Sequence, residues 1–163
     1  MSGIDYSEKG CELARQNLEL AGVSGDIYCS DLFCPPAELL GQFDVVVSFG
    51  LVEHFVETDR CVAALSRFVR PGGMLLTTSP NLAGAVGLLQ RILGRDIYDK
   101  HRPLDRRMLL AAHGPSHLNV LDCDYLFFVN FGVVNLSHSA TPLQPIFKVL
   151  LAEPGCYGRS RPR

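Results

Sequence analysis

The opening of the chain has no apolar run: the first dozen residues carry Asp5, Glu8, Lys9 and Glu12. A secretory signal is therefore not expected, nor is a spanning helix of about 20 apolar residues, and the expected location is cytoplasmic. Excess positive charge is also lacking. With Lys+Arg 15 against Asp+Glu 17, the formal net charge of -2 gives no global field to hold the chain on a phosphate backbone, so no nucleic acid partner is indicated. The six cysteines (Cys11, Cys29, Cys34, Cys61, Cys123 and Cys156) are scattered without a Cys-x-x-Cys pair, which favours buried, reduced thiols over a metal or redox centre. No Gly-x-Ser-x-Gly occurs, which removes the nucleophile elbow of serine hydrolases. What is present is ordinary globular composition: 163 residues, 47% hydrophobic and 20% charged, fitting one domain. Asn135-Leu136-Ser137 matches a glycosylation acceptor, a match of no consequence without a secretory signal.

Residues alternate between strand and helix patterns. Ser7 can cap a helix whose Cys11, Ala14, Leu18 and Ala21 recur at helical spacing, with Gly22 as its stop. A short strand is predicted at 26–29, a helical turn at 36–40 after Pro35-Pro36, and the strongest strand at 43–48. The valines at 45, 46 and 47 break alternation, which predicts a strand covered on both faces in a parallel sheet. A helix should follow Glu53-His54, with Val62, Leu65, Phe68 and Val69 on one face, and Pro71-Gly72-Gly73 ending it before a strand at 74–78. Residues 82–112 read as a lid or acceptor-binding insertion, 118–125 as a return to the sheet, and 127–136 as a strand end or the helix after it. The tail, 153–163, has no periodicity and is expected to be disordered, leaving 1–152 as the domain.

Ligands of open α/β sheets bind at the carboxyl ends of strands. Asp5 stands at one such end, where it can accept hydrogen bonds from both hydroxyls of an adenosine ribose or simply cap the next helix with Ser7; spacing leaves the two even. Asp31 ends the next strand, and Ser48-Phe49-Gly50 ends the valine strand. Together these three carry more weight than any one of them.

Gly3-Ile4-Asp5-x-Ser7, Asp31-Leu32-Phe33, the run from Phe43 through Glu53-His54-Phe55, Arg70-Pro71-Gly72-Gly73, and Ser79 through Gly84 resemble the class I S-adenosylmethionine-dependent methyltransferases, most closely their small-molecule branch that includes quinone-biosynthesis enzymes. The resemblance implies an α/β, Rossmann-like, doubly wound fold with a mostly parallel sheet. It implies S-adenosylmethionine as cofactor and a small-molecule methyl acceptor as partner. In cofactor binding it places Asp5 at the ribose, Asp31 and Leu32 at the adenine, and Ser48, Phe49 and Gly50 beside the methionine moiety, with Tyr6 a further cofactor-binding candidate. The resemblance does not supply the acceptor; His54, Asn81, Tyr98 and His101 are the candidate residues on that side, and His101, which follows the apolar lid, is the candidate for acting on an acceptor proton or for holding the lid. The family's first strand and its Gly-x-Gly-x-Gly turn have no counterpart after Met1, and a final antiparallel strand is not evident. The fold is therefore expected to be incomplete at the N-terminus and at the C-terminus.

Some relatives bind a divalent metal through Glu-x-x-Glu-His, but Gly50 stands three before Glu53 here, so no metal is expected and Glu53 reads as a helix-start carboxylate favoured by the dipole. His113 and His117 have ligand-like spacing, yet Gly114 and Pro115 between them predict a turn. The apolar stretch from Leu82 to Leu93 and the aromatics Tyr125, Phe127, Phe128 and Phe131 read as packing. Two further readings stay open: a non-catalytic remnant acting as a partner or regulatory module, and a nicotinamide-dependent oxidoreductase in which Asp5 again serves a ribose.

Overall fold

A computed structural model describes residues 1–125. They divide into two units, one formed by Met1–Ser79 with Arg106–Cys123, the other containing Pro80–Asp105.

The first unit begins with strand β1 (Ser2–Asp5), helix α1 (Glu8–Leu20) and strand β2 (Asp26–Cys29). Ser7 caps α1, its Oγ accepting from Gly10 N at 3.1 Å, and Gly22 takes the left-handed φ of 65° that lets the chain leave the helix. β1 and β2 pair in parallel with Asp5 opposite Cys29, so both strands present their carboxyl ends together. Cys11, fully buried, points from α1 to the Asp5 and Tyr28 carbonyls and ties the helix to both strands.

A 3-10 turn (Ala37–Leu39) leads to strand β3 (Phe43–Phe49), a second 3-10 turn (Val52–His54), helix α2 (Thr58–Ser66) and strand β4 (Val69–Thr78). The helix ends earlier than its sequence suggests: Phe68 lies beyond it and Val69 opens β4, although both are buried as expected. Pro71-Gly72-Gly73 does not end α2 but lies inside β4. There β4 bulges beside Asp44, because the register jumps from Phe43↔Val69 to Val45↔Met74. Helix α5 (Arg106–His113) closes the unit, with Cys61, Val62, Ala64, Leu65 and Ala112 buried between the elements. His113 ends α5 and its Nε2 lies 3.4 Å from Thr77 Oγ1, which places α5 over the face of the ribbon that carries Ser48 and Thr77. A 3-10 turn over Gly114–Ser116 follows, as expected, and His117 is left-handed.

β3 and β4 are parallel but form a ribbon of their own, separate from β1 and β2. The parallel α/β class expected from sequence is present, while the single continuous sheet is not formed among the described residues. Nor is β3 covered on both faces: Val45 is 55%, Val47 47% and Phe49 70% exposed, and their neighbours Met74 and Leu76 are open with them. Residues 118–125 form no strand, and Val120, Leu121 and Tyr125 are exposed, so that return to the sheet is also corrected. A strand needs a paired ladder, and none is offered to this segment by the described residues.

Within the second unit, helices α3 (Ala85–Leu93) and α4 (Arg95–Tyr98) follow a loop, with Gln90 buried and its Nε2 donating to Gly94 O at 3.0 Å. No helix among the described residues is long and apolar enough to cross a membrane. The segments 127–136 and 153–163 lie outside the described residues.

The bulge carries one exposed ion pair, in which Arg70 Nε donates to Asp44 Oδ1 at 2.8 Å. That hydrogen bond, then the guanidinium charge, holds the Asp44 carboxyl below its ordinary value. A depressed carboxylate pKa contributes stability above the unfolded value and loses it as pH falls through the folded one. Arg70→Ala should return Asp44 to the ordinary carboxylate range in an NMR titration of its side-chain carbon; an unmoved midpoint contradicts the pairing.

Candidate functional site

At the carboxyl ends of β1 and β2, two carboxylates organise the turns that follow. Asp5 Oδ1 accepts from Ser7 N at 2.8 Å, and Asp31 Oδ1 accepts from Phe33 N at 2.9 Å. Each is a local turn, so the bland half of the Asp5 reading is realised. Both residues are exposed, each uses its Oδ1 in its own turn, and the Asp5 carboxyl lies against Gly10 of α1. Gly10 is required beside Asp5: a Cβ there would lie 2.8 Å from Asp5 Cγ and push the carboxylate away. Tyr6 is 84% exposed and Leu32 half-buried.

The loop after β2 is fastened to the segment beyond β3. Phe33 and Phe55 meet edge to face with centroids 5.5 Å apart, Arg60 lies 5.2 Å over the Phe33 ring, and Arg67 Nη1 donates to Phe33 O at 3.4 Å. Because Phe33 follows Leu32, this clamp fixes the backbone of the Asp31-Leu32 turn relative to α2.

At the end of β3, Gly50 adopts φ 62° and its N–H donates to Thr78 O at 3.0 Å, which closes the turn against β4. Among the described residues, the buried side-chain polar atoms without a protein partner are Ser48 Oγ, Glu53 Oε2 and Ser79 Oγ. All three lie at or just past the carboxyl ends of β3 and β4. Unmet buried polar groups are scarce in proteins, and each costs about 1–3 kcal/mol, so this strand end is a candidate place for a ligand.

Glu53 departs from its expected setting. It does not start α2, which begins at Thr58, but sits in the preceding 3-10 turn at 2% exposure. Burial, and after it the charge of Glu53, pushes the Cys61 thiol up to about 11. His54 beside it is exposed. Asn81, Tyr98 and His101 belong to the second unit, where Asn81 is exposed, Tyr98 and His101 are half-buried, and His101 N donates to Tyr98 O at 3.1 Å. The sequence places Asp5, Asp31 and Ser48 at strand ends, as the structure does; it sets Glu53 aside as a metal ligand and does not single out Ser79 as a site residue. The signal for Ser79 was its place at the end of the polar run Thr77-Thr78-Ser79 closing an apolar strand.

Comparison with known proteins bears on this site. The family described as "Methyltransferase domain" matches residues 1–77. A relative from Thiobacillus denitrificans named ubiquinone biosynthesis O-methyltransferase is 34% identical over 103 residues, covering 63% of this chain and 44% of that protein. The chain spans about half the length of the curated relatives it matches. In fold it is similar to a protein from Bacillus halodurans C-125 named as a candidate methyltransferase, with TM-score 0.58 at 19% identity, covering 71% of this chain and 51% of the other. It is also similar to the (4+2)-cyclase SpnF, with TM-score 0.56 at 22% identity, covering 74% and 43%. Likeness at these identities shows the fold, and one fold hosts more than one chemistry.

Proposed function

We propose, for a chain that belongs to the class I S-adenosylmethionine-dependent methyltransferases, that the natural protein transfers a methyl group from S-adenosylmethionine to a hydroxyl oxygen of a small molecule. The observation that carries this reading is the pair of exposed carboxylates at and just past the ends of neighbouring parallel strands, with unmet polar atoms at the end of β3. This set suits an adenosyl group. Asp5 would accept from the ribose hydroxyls, with Tyr6 beside it, Asp31 and the Leu32 backbone would meet the adenine, and Ser48, Phe49 and Gly50 would flank the methionine moiety. The cofactor supplies a methyl group already activated on a sulfonium. The protein then has to position, to exclude water, and to accept a hydrogen bond or proton from the acceptor, and no enzyme nucleophile is required. His54, Asn81, Tyr98 and His101 are assigned to the acceptor side, with His101 as a candidate proton acceptor.

The oxygen acceptor follows the name O-methyltransferase that the relatives carry. The experiment is incubation of the natural protein with methyl-labelled S-adenosylmethionine and a panel of phenols, alcohols, amines and thiols. Label recovered on oxygen is the expected result; label on nitrogen or sulfur alone, or on none with the cofactor bound, overturns the reading.

A further inference from the structure

Two cysteines that lie apart in the sequence meet beside Asp5. Cys11 Sγ on α1 donates to Asp5 O at 3.4 Å and lies 3.8 Å from Tyr28 O, while Asp5 O also accepts from Ser30 N at 2.9 Å. The Cys11 sulfur is thus held against the backbone that flanks Cys29. Cys29 stands opposite Asp5 in the parallel ladder, its Sγ lies 3.9 Å from Tyr6 O, and its thiol is in hydrogen-bonding contact with that of Cys11. The two differ in access, since Cys11 is fully buried and Cys29 exposed. Burial, and after it the hydrogen bond to Cys29, pushes the Cys11 thiol up, so Cys29 is the thiol that a reagent from solvent meets first.

We propose that Cys11 and Cys29 form a reversible disulfide that weakens cofactor binding, with a small-molecule disulfide as the oxidant. The Cys29 thiolate attacks one sulfur of that disulfide, whose S–S bond breaks and releases one small thiolate. The Cys11 thiolate then attacks Cys29 Sγ, breaks the mixed disulfide, forms the Cys11–Cys29 bond and releases the second small thiolate. The protein thiols give up two electrons, the small disulfide is reduced to two thiols, and the two cysteine protons pass to the leaving thiolates. The effect reaches Asp5 through Gly10, which precedes Cys11 and lies so close that a Cβ on it would stand 2.8 Å from Asp5 Cγ. Bond formation removes the S–H that donates to Asp5 O and draws Cys11, with Gly10, toward β2, which displaces the Asp5 carboxylate. The loss of affinity rests on the S-adenosylmethionine reading proposed above; the joining of the thiols does not.

The test treats the reduced natural protein with oxidised glutathione, maps linked peptides by mass spectrometry, and titrates S-adenosylmethionine before oxidation, after it, and after dithiothreitol. A Cys11–Cys29 link is expected in the wild type and in Cys34→Ser, and no link in Cys29→Ser. Oxidation should weaken S-adenosylmethionine binding roughly tenfold, the loss of one hydrogen bond to a charged group, and dithiothreitol should restore it. The affinity of Cys29→Ser should not respond to the oxidant. Glutathione retained on Cys29 as the end state, or a link from Cys11 to Cys34, overturns the proposal. A Cys11–Cys29 link with unchanged affinity also overturns it and leaves a structural staple. If the variants do not fold, fragmentation of the linked wild-type peptides identifies the two sulfurs, and the wild-type titrations decide. Reduced protein that binds no S-adenosylmethionine contradicts the methyltransferase reading, whereas a bound cofactor with no link contradicts the switch alone.

Discussion

Asp5→Ala is expected to weaken S-adenosylmethionine binding by about two orders of magnitude. Hydrogen bonds to a charged group are worth roughly 1.5–3 kcal/mol each, and a ribose offers two hydroxyls to one carboxylate. The substitution also removes the acceptor of Ser7 N, the contact that shapes the entry to α1. These two effects separate with Asp5→Asn, whose side-chain oxygen can still accept from Ser7 N while the charge is gone. Asn should therefore keep the melting temperature near that of the wild type and still lose most of the affinity, whereas Ala should also lose about 1 kcal/mol of stability. Calorimetric titration with a thermal melt on each protein measures both. Unchanged affinity in the two variants contradicts the ribose assignment and leaves Asp5 as a turn residue alone.

Gly73→Ala should be the most damaging single methyl addition to the β3–β4 ribbon. A Cβ at Gly73 would stand 2.8 Å from Asp44 O, 2.9 Å from Phe43 O and 2.9 Å from Val69 Cγ1. Two of the three are backbone atoms of the partner strand, which can yield only by prising β3 from β4. Overpacking of this kind costs about 1–3 kcal/mol, and a lowering of the melting temperature by about 4–10 °C is expected for a domain of this size. Gly72 makes the control. Its φ of 80° disfavours a side chain, but no atom lies within 4 Å of its would-be Cβ, so Gly72→Ala should cost about 1 kcal/mol. Equal melting temperatures for the two variants would show that the bulge tolerates the extra methyl. Because Ser48, Gly50 and Ser79 sit at the far end of the same ribbon, Gly73→Ala should also blunt ligand binding.

The contrast between those glycines shows what sequence can and cannot reveal. Pro71-Gly72-Gly73 is a sound stop signal, and the helix does end before it, but the same residues also make a bulge, and only the paired strand decides that they lie within β4. The β1–α1–β2 segment was legible because its signals are local: a serine cap, helical spacing and a glycine exit. The valine run of β3 was legible as a strand and misleading about its cover. Val46 turns inward while Val45 and Val47 stay open, since a residue pattern reports what a face suits and not which layer lies on it.

The site divides in the same way. Asp5 and Asp31 were readable because a carboxylate at a strand end is a position along the chain. The burial of Glu53 was not, because it depends on how a short turn folds back beneath its neighbours. A helix-start acid and a buried acid have the same sequence context, and three-dimensional packing separates them.

The measurement that bears most directly on the account is titration of the natural protein with S-adenosylmethionine and, in parallel, with a nicotinamide dinucleotide. The account predicts one S-adenosylmethionine bound per chain, weakened by both Asp5→Ala and Asp31→Ala, and no binding of the dinucleotide. Dinucleotide binding in its place, or a cooperatively folded protein that binds neither, would contradict it and favour the oxidoreductase or the non-catalytic module.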